Sequence, residues 1–492
     1  MTAGDYGKKI RGFVFDNIVS IIFIVFIALG LFVSKGQRLD SFINELLDRI
    51  FRNGFLVLSL IIPVMAGLGL NFGIVVGALA GMLSLAIVRY FAQLDSLAEV
   101  MVFSGLSGIM LSFLIALPLS MLFGFLTGRL YNKTRGQEMI ASLIVGYFST
   151  GVYQFIVLCV IGLVIPVVKG HPMIKPDGVG LRATFDMGSH PSDKIFNPET
   201  MKPGLKYSLD RILEVPFLPI LIVAALCFLI FLVIRRIRSV KNPALPQTKK
   251  WVFILSCVIC GVFILLGLHG VLIPNGIRFL VTADFLKGIG FHGIQIPASP
   301  LLGIKKIPIV TGLIIVALCL FTHYFTKTKL GQDCRTVGQS QQIAKVSGIN
   351  VDRTRVIATM FSMVLSSWGM ILLLQNTGTV GTYTSQLNVG IYSVAALLVG
   401  GASTSKASVK NALIGLVLFH SMCIVSPYVG MLFSSDAGVG EYTRSFMQYG
   451  VIGLALGLYI WKGNKATENK ETLDQQSPAI NESNKSSWQI SE

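Results

Sequence analysis

The stretch Ser104-Gly-Leu-Ser-Gly-Ile-Met-Leu-Ser-Phe-Leu-Ile-Ala-Leu-Pro-Leu-Ser-Met-Leu-Phe-Gly-Phe-Leu-Thr127 contains no charged side chain. As a helix it is long enough to cross the ~30 Å of hydrocarbon in a bilayer. Outward from it lie further apolar blocks at 18–33, 54–70, 72–92, 139–168, 214–234, 251–270, 306–326, 356–375, 389–400, 409–431 and 445–461. Of the 492 residues, 53% are apolar and 13% charged, whereas a soluble domain carries roughly 25% charged residues. The mean hydropathy is +0.71. This balance excludes a soluble enzyme, a disordered chain and a disulfide-stapled secreted module. The sequence predicts an all-α polytopic integral membrane protein with about 10–12 transmembrane helices. The 54–70/72–92 pair, divided at Asn71, and the short 389–400 block are the expected broken or re-entrant segments.

Charge sets the expected orientation. The net charge is +17, from 41 Lys and Arg against 24 Asp and Glu. In a membrane chain such excess base collects in cytoplasmic loops. No long basic run interleaves with aromatics, so no nucleic-acid partner is expected. Basic clusters follow block 104–127 (Arg129, Lys133, Arg135), separate 214–234 from 251–270, separate 306–326 from 356–375, and follow the last block. Placing these clusters and both termini in the cytoplasm satisfies the parity of the blocks. One misfit is Lys35, Arg38, Arg49 and Arg52, which fall in 34–53, a loop this scheme puts outside. No small-x-small cleavage site follows the first block, which reads as a retained helix. The seven cysteines, Cys257-x-x-Cys260 included, read as buried small hydrophobes, and no metal-ligand set is expected.

A transmembrane domain is thus expected over 1–463. Within it, 171–213 is a Pro-rich extracytoplasmic insertion and 327–355 a cytoplasmic loop. Residues 271–305, moderately apolar, could lie along the membrane surface. Residues 464–492 are too polar to bury an apolar face and are expected to be a disordered cytoplasmic tail.

The loop reads Gly331-Gln-Asp-Cys-Arg-Thr-Val-Gly338-Gln-Ser-Gln-Gln-Ile-Ala344-Lys-Val-Ser-Gly348-Ile349-Asn350-Val351. Ser340 can cap a helix of about two turns that Gly348 ends. Gln341, Gln342 and Lys345 then face water, and Ile343, Ala344 and Val346 form a small apolar face. Physical chemistry alone leaves two readings: a docking element parallel to the membrane, or an ordinary solvated loop.

This pattern resembles the coupling loop of permease subunits of bacterial ABC importers, in the ribose, simple-sugar and nucleoside branch of the branched-chain amino acid/ribose-type permease family. Downstream, Tyr392-Ser-Val-Ala-Ala-Leu-Leu-Val-Gly400-Gly401 and Lys410-Asn411-Ala-Leu-Ile-Gly415 are similar to that branch's "AAVVLGG…GTLIG" stretch. Gly69-Leu-Asn71-Phe-Gly73 and Gln137-Glu138-Met139-Ile140 resemble the nucleoside group more closely. The chain is longer than usual for the branch, and 171–213 and the tail have no counterpart there. The resemblance implies a second permease subunit (identical or distinct), two ABC ATPase subunits, and an extracytoplasmic solute-binding protein. It also implies residence in the bacterial cytoplasmic membrane. Gly338, Ala344, Gly348, Ile349 and Asn350 would form the ATPase-coupling loop, with the first three fitting closely in an ATPase groove.

The solute expectation is a small neutral polar molecule, a sugar or nucleoside. Val356 to Ser405 contains no charged residue but many hydrogen-bonding ones, Asn376 and Gln386 among them. Such groups can match a polyhydroxyl or nucleobase as it sheds water, although 376–388 also reads as an exposed outer loop. Asn71 and Gly73 are further pathway candidates. Gly73, Gly77 and Gly81 form a small-residue stripe that serves close helix packing or a helix break lining the path. Mid-membrane carboxylates typical of ion-driven carriers are lacking, since acidic residues fall mainly at block ends. His323 and His420 are isolated. Gly401-Ala-Ser-Thr-Ser-Lys406 lacks the glycine and hydroxyl of a phosphate loop. The chain is therefore expected to be no enzyme and to hold no cofactor, with ATP bound by a partner and membrane lipids around it. The alternative is a stand-alone secondary carrier or facilitator for a similar solute.

Overall fold

A computed structural model of the protein describes residues 18–33, 39–94, 101–168, 170–189, 204–241, 250–272, 277–280, 293–296, 306–403, 406–432, 436, 438–450, 453 and 457. The helices are α1 Ile18–Val33, α2 Leu39–Ser59, α3 Ile61–Met65, α4 Ile74–Ala92, α5 Gly105–Lys133, α6 Glu138–Phe155 and α7 Phe217–Lys241. After them come α8 Lys250–Leu272, α9 Ile309–Phe325, α10 Lys329–Gln339, α11 Gln341–Val346, α12 Val351–Thr377, α13 Ser385–Val399 and α14 Val409–Gly430. A helical stretch over 438–450 follows. Six short strands occur: β1 Thr184–Asp186, β2 Glu214–Val215, β3 Ile277–Leu280, β4 Gly293–Ile296, β5 Ile307–Pro308 and β6 Thr379–Gly381. They pair antiparallel as β1–β6, β2–β5 and β3–β4. The architecture is all-α and polytopic.

The apolar blocks from 18–33 to 409–431 fall on described helices, and the last, 445–461, is described as helix over 445–450. Among the described residues, six helices are both long and apolar enough to cross a membrane, or seven if the pair α9–α10, bent by 74°, counts as one span. That count is of the described residues alone, and among them some blocks fall short of a full span. Helices α1 and α13 have 16 and 15 residues, short of the ~20 a full crossing needs. Helix α2 carries Asp40, Glu45, Asp48, Arg49 and Arg52 among its apolar residues. That last fact corrects the outside loop expected over 34–53: residues 39–53 are helix. Arg49 there bridges Glu45 one turn back at 2.8 Å, an arrangement that supports the helix.

Helix α12 is the hub of the body, and glycines let its neighbours reach it. A Cβ at Gly77 or Gly81 of α4 would lie 2.7 Å from the Met363 carbonyl oxygen or 2.4 Å from that of Ser367. At Gly124 of α5 it would lie 2.7 Å from Met360 Cα. The Gly77/Gly81 stripe is thus a packing seam, the role small residues play where lipid supplies no hydrophobic drive. Ser366 Oγ donates to the Ile74 carbonyl at 2.7 Å, and Ser362 Oγ to that of Ser59 at 3.2 Å. Residue order along these contacts makes α12 parallel to α4 and antiparallel to α5. Gly400 and Gly415 play the same part where α13 turns into α14, each with its Cβ position 1.8 Å from a facing carbonyl oxygen.

The described parts of 171–213 are stitched to the end of α12. Met187 N donates to the Gly378 carbonyl at 3.0 Å and Tyr207 N to that of Gln375 at 2.9 Å. Thr382 Oγ1 donates to Arg182 O at 2.7 Å. Met187, Leu205 and Leu209 are buried in the main core. Residues 376–388 are consequently no exposed loop: Val380, Thr382 and Gln386 are fully buried beneath this cover. Helices α7 and α8 pack on each other at the periphery through Gly267 and Ile222. The described side chains of α7 are mostly exposed apolar ones, as a lipid-facing helix requires. The tail 464–492 and most of 271–305 lie outside the described residues.

Candidate coupling segment and helix break

The segment between α9 and α12 is ordered by local signals. Thr328 accepts from Gly331 N at 3.2 Å to start α10, and Ser340 accepts from Ile343 N at 3.3 Å to start α11. Asn350 accepts from Arg353 N at 3.0 Å to start α12. Each is an N-cap that satisfies an amide with no helical partner. Gly348 adopts φ +78°, its N–H bonds the Lys345 carbonyl at 3.0 Å, and Ile349 N bonds that of Ala344 at 2.9 Å. This is the Schellman stop of α11, completed by apolar contact within the Val337, Ala344, Ile349 and Val351 cluster.

The apolar face expected on α11 is split. Ala344 is fully buried against the chain's own residues, whereas Ile343 is 62% and Val346 91% exposed. Gly338 likewise faces inward: its Cβ position lies 2.1 Å from the Met65 carbonyl oxygen and 3.0 Å from Gly67 N. Gly338 and Ala344 therefore fit closely against this chain's own body. The outward apolar surface is Ile343 and Val346, flanked by exposed Gly348 and Asn350 and half-buried Ile349.

Met65 and Gly67 belong to a break between α3 and α4, where Gly67 and Gly69 take φ +73° and +68°. Asn71 sits in that break, fully buried. Its Oδ1 accepts from Gly73 N and from the Tyr131 hydroxyl, both at 2.9 Å, while its Nδ2 has no hydrogen-bond partner among the described residues. Ser142 Oγ accepts from Phe72 N at 3.1 Å. Gly73 leaves room for this contact, because a Cβ there would stand 2.3 Å from the Tyr131 oxygen and displace it. Tyr131 also joins a second element: its carbonyl accepts from Arg355 at 3.4 Å, and Arg355 pairs with Glu138 at 2.5 Å with no exposure of the Arg355 side chain. Two routes thus lead from the 331–351 segment to Asn71, one through Gly338 and one through α12, Arg355 and Tyr131.

The other pathway candidates lie in separate networks. Asn376 Nδ2 donates to Asp210 at 2.7 Å, and its Oδ1 accepts from Arg52 at 3.0 Å. Asp210 also accepts from Thr311. Gln386 donates to the Tyr383 carbonyl at 2.9 Å, and its Oε1 is buried with no hydrogen-bond partner among the described residues. The structure brings Asn71 and Gly73 together and leaves Asn376 and Gln386 elsewhere. Tyr131, Ser142, Arg52 and Asp210 escaped the sequence reading. Neutral residues in isolation drew attention there, whereas these four act through partners 60 or more positions away. Among the described residues no cluster of three His, Cys, Asp or Glu could hold a metal.

A helical body with several candidate membrane spans, a buried glycine-rich turn joining α3 to α4 and a short capped helix seated on that turn are the features of a permease-type membrane protein. The chain belongs to the family described as branched-chain amino acid transport system / permease component, which matches residues 52–456. It is similar to the xylose transport system permease protein of Haemophilus influenzae, at 28% identity over 39% of this chain and 48% of that protein. The match thus spans about half of that relative's length. It is similar also to the galactose/methyl galactoside import permease of the same organism, at 27% over 45% of this chain and 72% of the relative. A nucleoside ABC transporter permease of Lactococcus lactis is 32% identical over 19% of this chain and 26% of its own. No solved structure matches the chain.

Proposed function

We propose that the chain is the transmembrane permease subunit of an ATP-binding-cassette importer that moves a small neutral polar solute, a simple sugar or nucleoside, across the bacterial cytoplasmic membrane. Separate ATPase subunits bind the ATP and dock on the 331–351 segment. A second permease subunit completes the body, and an extracytoplasmic solute-binding protein delivers the solute to the end covered by 171–213. Both termini are cytoplasmic. The observation that carries this reading is the seating of Gly338 on Met65 and Gly67, while Ile343 and Val346 point away from the body. A push on the outer face of α11 is then transmitted through rigid backbone contact to the break that holds Asn71. The relatives named for sugar and nucleoside transport support the solute class.

The test is Ile343→Asp together with Val346→Asp. Both side chains are exposed, so folding and membrane insertion persist, while a charge buried at a docking face costs about 1–3 kcal/mol, roughly tenfold or more in association. Uptake and solute-stimulated ATP hydrolysis should fall together. Undiminished transport would overturn the docking face, and uptake by the purified chain without ATPase partners would favour a stand-alone carrier.

A further inference from the structure

The C-terminal end of α5 and the N-terminal end of α12 enclose an open groove of about 1120 Å³ that meets the docking segment at Asn350. Phe125, Leu126 and Met360 form its wall, and Arg129, Lys133 and Arg353 stand at its mouth, all three exposed. The Arg129 guanidinium lies 4.3 Å from the centroid of the Phe125 ring, which holds it at the join between apolar wall and basic rim. Among the described lining residues the acid is Asp352, already salt-bridged to Arg135. Asn132, also in the lining, donates to the Asp352 carbonyl at 2.9 Å and leaves its Oδ1 buried with no hydrogen-bond partner.

We infer that this groove is a binding site for an anionic phospholipid of the inner leaflet. The phosphate meets Arg129, Lys133 and Arg353, and an acyl chain lies along Phe125, Leu126 and Met360. Arginine forks match phosphate oxygens geometrically, and basic pockets between membrane helices at the cytoplasmic side are where anionic head groups are held. A soluble anion has no use for the apolar wall. A second copy of this chain related by a two-fold axis passing through the groove would set the three cations against themselves. A zwitterionic lipid brings its own cation to an already cationic rim. The inner-leaflet assignment rests on the cytoplasmic placement of this end in the proposed function, but lipid binding is measured without transport, so either can fail alone.

The test is native mass spectrometry of the full chain taken from nanodiscs of equimolar phosphatidylglycerol and phosphatidylethanolamine. Expected is a retained phosphatidylglycerol adduct enriched about tenfold or more. The triple variant Arg129→Gln, Lys133→Gln, Arg353→Gln should lose that enrichment. Leu126→Trp, which keeps the charges and fills the wall, should lose the adduct by blocking the acyl chain, and it serves as the test if the triple variant does not fold. Equal retention of both lipids, enrichment that survives both variants, or displacement of phosphatidylglycerol by millimolar inorganic phosphate would overturn the site. So would a photocrosslinker at Met360 that captures another protein chain in membranes.

Discussion

Replacing Gly338 by Ala would put a methyl group where the Met65 carbonyl already stands. The new Cβ would lie 2.1 Å from that oxygen and 3.0 Å from Gly67 N. Both neighbours are backbone and cannot swing aside as a side chain can. To gain even 3.0 Å from the carbonyl, the coupling segment and the helix break must part by about 0.9 Å (3.0 less 2.1). Overpacking of this kind costs about 1–3 kcal/mol, enough to lower the melting temperature without preventing folding. The control is Gly105→Ala, away from the 331–351 segment. Its φ of +57° makes Ala costly by about 1–2 kcal/mol, but no atom lies within 4 Å of its Cβ position, so nothing is pushed. The two variants should therefore be destabilised alike and differ in coupling. In proteoliposomes holding the ATPase and binding protein, solute moved per ATP hydrolysed should fall for Gly338→Ala and stay near wild type for Gly105→Ala. A wild-type ratio for Gly338→Ala, or an equal loss for both, would refute transmission through the Gly338 contact.

Further outcomes follow from the same contacts. Tyr131→Phe removes the hydroxyl bonded to Asn71 and should cost about 1 kcal/mol; a double-mutant cycle with Asn71→Ala should then be strongly non-additive, and simple additivity would deny the link. Glu138→Ala leaves Arg355 buried without its partner and should cost about 3–5 kcal/mol, with Glu138→Leu/Arg355→Met regaining most of it in thermal unfolding. Burial beside Asp333 pushes the Cys334 thiol up to about 12. The neutral thiol is thus the favoured form, and its maleimide labelling should be negligible at pH 8 and rise only in strong alkali or on unfolding. Ready labelling of native protein at pH 8 would contradict its burial.

Much of this molecule is written locally. The apolar blocks up to 409–431, the Ser340 cap, the Gly348 stop and the interruption at Asn71 each need only a few neighbouring residues to be recognised, and all correspond to described structure. Most of what escaped depends on distant partners. For Arg49 the signal is local, the i,i+4 spacing from Glu45 that marks a helix turn, whereas the Arg52–Asn376 contact joins residues 324 positions apart and nothing near Arg52 reveals it. The pairing of Thr184–Asp186 with Thr379–Gly381 likewise has no local signature, so 376–388 read as an outer loop. On α11, periodicity showed that Ile343, Ala344 and Val346 are apolar but could not show which of them the body covers. The neighbours that bury Ala344 belong to α10 and α12.

The most direct test of energy delivered through 331–351 is photocrosslinking from Val346 in intact membranes, with the probe at this 91% exposed position. Transmission from a motor predicts an adduct with the mass of a nucleotide-hydrolysing subunit, its yield changing when ATP is trapped. An adduct with lipid alone, or a probe reached by impermeant reagents from the outer side of the membrane, would contradict it.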